Sequence, residues 1–141
     1  MKRFLLTIIS VLPLCAAAQN FTTLTLKEAQ EKASAQQKII LVDVMNMRVM
    51  NDAKLAQEKS ILALDGVSDY LEKNVIGIRI DMGTPAGKEF APLLQMNMYP
   101  TYAYLMPNGD LLGVVSPYLL AKDNKLFLEK TKEYYSKALE K

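Results

Sequence analysis

Apolar and polar positions along the chain follow two rhythms. Ile39–Met45 is a nearly continuous apolar run rich in β-branched residues, the pattern of a strand buried on both faces in a central or parallel position. Val75–Ile80 and Thr101–Met106 read as further strands. Helical punctuation lies between them. Thr25-Leu26-Lys27-Glu28 is a capping box and predicts a helix from Leu26 to about Ala35. Asn51 or Asp52 can cap a helix over roughly 52–63 that resumes to 73 after a break near Asp65–Gly66. Gly83-Thr84-Pro85 starts another, with Thr as N-cap and Pro in the first position, and that helix carries Phe90 and Leu94 on one face and ends before Met98. Pro107-Asn108-Gly109-Asp110 reads as a hairpin turn, its Asn-Gly pair supplying positive φ angles, with Leu111–Val115 as the returning strand. A closing helix is predicted from Lys122 to about Leu139, with Leu126, Phe127 and Leu128, then Tyr134, Tyr135, Ala138 and Leu139, forming two turns of mostly apolar faces. A short strand is expected near Phe21–Leu24. The order α-β-α-β-α-β-β-α implies an α/β domain, a mixed sheet covered by helices on both faces.

The first eighteen residues stand outside this pattern. Lys2 and Arg3 precede an apolar stretch, Phe4–Leu14, that is too short to span a bilayer, and Ala16-Ala17-Ala18 offers a small-residue cleavage site. Residues 1–18 therefore read as a secretory signal peptide and 19–141 as a single domain. Membrane attachment is expected only through lipidation of Cys15, and Leu14 is not the small residue that such a signal wants. The chain has 17 basic and 15 acidic residues. Without Lys2 and Arg3 the domain carries fifteen of each, so it has no basic character that would suit nucleic acid. Cys15 is the one cysteine, and there is no histidine or tryptophan. An exported domain, expected in the periplasm of a Gram-negative cell, would thus be held by packing alone, with no disulfide.

The ordered pieces resemble the thioredoxin fold, and among its members they are most similar to exported thioredoxin-like domains related to the C-terminal domain of the periplasmic disulfide reductase. The likeness spans roughly residues 24–140. It rests on Leu26-Lys27-Glu28-Ala29 with Ala33, on Val42-Asp43-Val44-Met45-Asn46, on Ile80-Asp81, and on Tyr99-Pro100-Thr101 followed by Tyr102-Ala103-Tyr104-Leu105 and Pro107-Asn108-Gly109. The resemblance implies a cis Tyr99–Pro100 bond facing the site, an uncommon and usually fixed feature. It also places the family's redox motif just after Asp43: the tryptophan position falls on Arg48 and the two cysteine positions at Val49 and Asp52. Thiol–disulfide exchange needs an attacking thiolate and a resolving sulfur, and the domain has neither. Asp43, which in active relatives lies beneath the second cysteine, loses its partner here. A buried carboxylate is costly unless paired or protonated, so Asp43 is expected either to pair with Arg79 on the neighbouring strand or to reach water at the strand edge.

Three functions suit such a chain. The resemblance implies a groove between the loop after the central strand and the loop around the proline, where relatives hold an extended peptide against the residue preceding the proline, here Tyr99. Met45, Met47, Val49, Met50, Met98, Tyr99, Pro100 and Thr101 would line it, and methionine suits surfaces that accept varied apolar partners. The helix start at Asn51–Asp52 would add N–H donors. On this reading the protein binds an envelope protein or peptide, needs no cofactor and catalyses no thiol exchange. The first alternative is a Cu(I) carrier using thioether sulfurs, which are soft ligands. The second is an enzyme of another type, with Asp43, Asp52, lysines and tyrosines as its available groups.

Overall fold

The computed structural model describes residues 20–94 and 101–141. Helix α1 (Leu26–Gln36) begins on the expected capping box: Thr25 Oγ1 accepts from the Glu28 N–H, and Glu28 returns a carboxylate oxygen to the Thr25 N–H at 2.8 Å. Strand β1 (Ile39–Met45) follows, buried at every position. Helices α2 (Asp52–Leu62) and α3 (Val67–Asn74) are separated by the expected break, where Gly66 takes the left-handed conformation at φ 78° that glycine adopts without a Cβ clash. Strand β2 (Val75–Asp81) leads to α4 (Pro85–Phe90), capped by Thr84 with Pro85 at its first position. A 3₁₀ turn, Ala91–Leu93, continues α4 where Pro92 removes an N–H donor.

Strands β3 (Thr101–Leu105) and β4 (Leu111–Val115) complete a sheet in the order β2-β1-β3-β4. β1 pairs parallel with β2 and antiparallel with β3, and β3 pairs antiparallel with β4. The mixed sheet that the pattern predicts is therefore present, with the nearly all-apolar strand at its centre. The expected strand near Phe21–Leu24 is reduced to one parallel bridge, Thr22 to Ile78, at the free edge of β2.

The second half departs from the sequence-based expectation in two places. The hairpin turn has one positive φ angle, at Gly109, rather than two. The Gly109 N–H donates to the Met106 carbonyl and the Met106 N–H to the Asp110 carbonyl. Pro107 thus leads an ordinary turn that ends on a left-handed glycine, and the longer loop relieves Asn108 of the mirror-image conformation. The C-terminal region holds two helices, α5 (Pro117–Lys122) and α6 (Leu126–Leu139). Ser116-Pro117 is an N-cap followed by a first-position proline, a start signal that a reading centred on Lys122 passes over. In α6, Phe127 and Thr131 form the fully buried stripe, Tyr134, Tyr135 and Ala138 are half-buried, and Leu139 is exposed.

Strand alternation divides the core in two. Ile40, Val42, Val44, Ile78 and Ile80 pack with Ala29 and Ala33 of α1 and Phe90 of α4 on one face. Ile39, Leu41, Tyr102 and Tyr104 pack on the other with Ile61 of α2, Leu71 of α3 and Phe127 of α6. Asp43 and Arg79 share the register of this second face, so their side chains enter it among apolar groups.

Candidate functional site

The end of β1 and the loop after it form one unit with the end of β2. Asn46 organises the loop: its Oδ1 accepts from the Arg48 N–H at 3.1 Å, and its carbonyl accepts from the Val49 and Met50 N–H groups. Asp81 joins this loop to the next, accepting on Oδ1 from the Gly83 N–H at 2.9 Å and from the Met47 N–H at 3.4 Å. Asn51 caps α2 through its side chain, accepting from the Lys54 N–H at 3.0 Å. The loop is short and hydrogen-bonded throughout, and it presents two apolar side chains to solvent, Met47 at 57% and Val49 at 50% exposure.

The sequence-predicted site residues separate into distinct environments. Val49 is on the exposed loop, and Asp52 is the exposed first residue of α2. Met50 is half-buried. Met45 is buried at the end of β1, so it is a wall residue and not part of an open surface. Thr101 is buried at the start of β3, opposite Val44. Met98, Tyr99 and Pro100, with the expected cis bond, lie outside the described residues.

Asp43 is completely buried and is paired; the alternative in which it reaches water at the strand edge does not hold. Arg79 Nε donates to its Oδ2 at 2.8 Å. The same guanidinium donates from Nη2 to Glu58 Oε1 at 2.6 Å, and its carbon lies 5.4 Å from the centre of the Phe21 ring. The group is therefore two buried carboxyls around one half-exposed arginine. As a carboxylate, Asp43 would leave Oδ1 with no donor among the described residues. Burial, and next the adjoining Glu58 carboxyl, push Asp43 up to about 8, against the opposing pull of Arg79. Asp43 is thus held toward its protonated form beside the Glu58–Arg79 pair, and the Arg79–Asp43 contact can persist as a hydrogen bond to a neutral acid. Arg79 itself is held above its ordinary value: the two acids outweigh the effect of its burial. Tyr102, register partner of Asp43 in β3, is raised by burial and stays neutral.

Glu58 is the member that sequence reading missed. It is one of two buried residues of α2, with Ile61. The available signal was its spacing: Leu55, Glu58 and Ile61 recur every three residues on one helical face, and an acid inside such a stripe calls for a buried partner. Among the described residues, no three His, Cys, Asp or Glu side chains gather as a metal-ligand group. On the opposite face of the sheet, a groove of about 770 Å³ is walled by Leu24, Leu26, Ile80, Phe90 and Leu93.

This architecture is thioredoxin-like. The structure is similar to a thioredoxin from Thermus thermophilus, with 20% identity and a TM-score of 0.69 over 84% of this chain and 90% of that one. It is also similar to the long form of thioredoxin f from spinach chloroplast, with 20% identity and a TM-score of 0.57 over 81% and 85% of the two chains. The sequence matches no family model and no curated protein.

Proposed function

We propose that this is an exported thioredoxin-fold protein without thiol chemistry, and that it binds a protein or peptide of the cell envelope through the loop after β1. The observation that carries the reading is the pair of exposed apolar side chains, Met47 and Val49, on a loop that Asn46 and Asp81 hold in a fixed shape. A preformed apolar contact avoids part of the ordering cost of binding. The chain has one cysteine, Cys15, within the expected signal peptide, so no second sulfur exists to resolve a mixed disulfide. The Cu(I) reading needs several sulfurs on one surface, and the burial of Met45 withdraws one of them.

Site-specific photo-crosslinking tests the binding reading. A photoreactive residue at position 47 should capture a discrete envelope partner, whereas the same residue at the exposed position 139 should not. Val49→Asp should weaken that capture. Equal capture from both positions, or capture indifferent to Val49→Asp, would remove the loop as the binding surface. An insulin-reduction assay should give no turnover, and turnover would overturn the claim that thiol chemistry is absent.

A further inference from the structure

We propose that a single proton on Asp43, in the cluster where Arg79 binds both Asp43 and Glu58, latches α2 onto the sheet, and that releasing this proton to solvent on the alkaline side frees α2 together with the loop 46–51 that leads into it. Helix α2 has little else to hold it. Its two buried residues are Glu58 and Ile61, and Leu62 packs partly buried against the same core, so a charged group is one of its few inward contacts. That contact runs through Arg79, which also holds Asp43.

The charges of this cluster decide its preferred state. Two carboxylates and one guanidinium leave a net negative charge in a buried place. One proton makes the cluster neutral and gives Asp43 a donor where its Oδ1 otherwise has no partner. Among the described residues, nothing else around the cluster could compensate. β2 contributes Arg79, α2 contributes Glu58, and β3 contributes Tyr102, which stays un-ionised. The faces of α3 and α6 turned toward this side bring Leu71 and Phe127, and the segment before α1 brings Phe21. Arg48 on the loop is exposed and makes no ion pair among those described. Once Asp43 ionises, the like charge is relieved most readily at Glu58, because it sits on a helix with few other anchors, whereas Asp43 lies in the central strand. Ionisation near pH 8 places the transition within reach of mild alkaline conditions.

The bearing of this motion on ligand capture rests on the binding role proposed above, but the motion does not, and the two can fail separately. The test is amide hydrogen exchange on the purified protein from pH 5 to 9, corrected for intrinsic exchange rates and read separately for α2 and α6. The opening equilibrium of α2 should rise about tenfold or more between pH 6 and 9 relative to α6, since each unit of displaced pKa is a factor of ten. Asp43→Asn cannot ionise and should hold α2 at its low-pH protection throughout. Glu58→Gln, which leaves Asp43 and Arg79 as a neutral pair without that proton, should do the same and serves if Asp43→Asn does not fold. A flat wild-type profile, an equal rise in α6, or an unchanged rise in a folded variant would overturn the latch.

Discussion

Arg79 joins β2 to α2 through its 2.6 Å hydrogen bond to Glu58, and the acid it reaches is itself buried. Removing this cation leaves two carboxyls facing each other with no counter-charge. The arginine side chain is 39% exposed, which screens its interactions. Arg79→Ala should therefore cost about 1–3 kcal/mol in urea unfolding at pH 7.5, below the usual cost of breaking a fully buried pair. Much of that loss should return at pH 5, where the acids share protons more readily. Arg79→Met keeps the aliphatic stem near Phe21 and separates packing from charge. An equal loss at both pH values would show that packing alone is involved.

Global stability should fall as pH rises, with a sign set by Asp43. Its folded value is raised to about 8, whereas in the unfolded chain it returns to the ordinary carboxylate range near 4. Between these values the folded state holds a proton that the unfolded state has lost. The Asp43 contribution is thus fully present below about pH 4, declines through the interval and is gone above about pH 8. The slope cannot exceed about 1.4 kcal/mol per pH unit for this one group. Asp43→Asn should flatten the profile and raise Tm at pH 8.5 above that of the wild type. Thermal melts at half-unit intervals would check both, and a variant that follows the wild-type curve would assign the slope elsewhere.

Most of the fold is legible in the sequence because its signals are local and mutually consistent. The Thr25–Glu28 box, the Thr84–Pro85 start, the Gly66 break and the nearly continuous Ile39–Met45 run each have one easy structural solution, and their order leaves few topologies. Helix α5 is less visible because six residues carry little periodicity and its cap directly follows a strand. The acid cluster is legible by half. Asp43 announces itself by standing in an apolar strand, and Arg79 is its nearest candidate in sequence logic. Glu58 lies on a helix whose exposed residues dominate its composition, and only the docking of that helix shows that the face carrying Glu58 and Ile61 turns inward.

Gly87 should resist substitution although it lies in a helix, where alanine is ordinarily better by up to about 1 kcal/mol. A Cβ there would meet the Asp81 carbonyl and the Met82 backbone at the turn after β2. These are backbone atoms and cannot rotate away. Gly87→Ala should destabilise the domain by about 1–3 kcal/mol, the usual range for overpacking. The nearby Asp81 side chain holds Met47, so the same variant should also increase exchange at the Met47 and Gly83 amides. Unchanged stability would show that α4 can move outward freely.

The Tyr104 and Thr131 hydroxyls meet at 2.7 Å inside the core, and Thr131 passes the bond on to the Phe127 carbonyl at 2.8 Å. The Tyr104 hydroxyl depends on Thr131, whereas Thr131 keeps its bond to Phe127. Thr131→Val keeps the shape but leaves the Tyr104 hydroxyl without that partner, at a cost of about 1–3 kcal/mol. Tyr104→Phe should cost less, because Thr131 can still donate to its own helix. The double variant removes both polar groups from a site otherwise walled by Tyr134 and Phe127, and should lie closer to the wild type than the sum of the single losses. A double-mutant cycle in urea measures this coupling directly. Strictly additive losses would mean that the hydroxyl pair contributes no coupling of its own, and that α6 is held to β3 by ring packing alone.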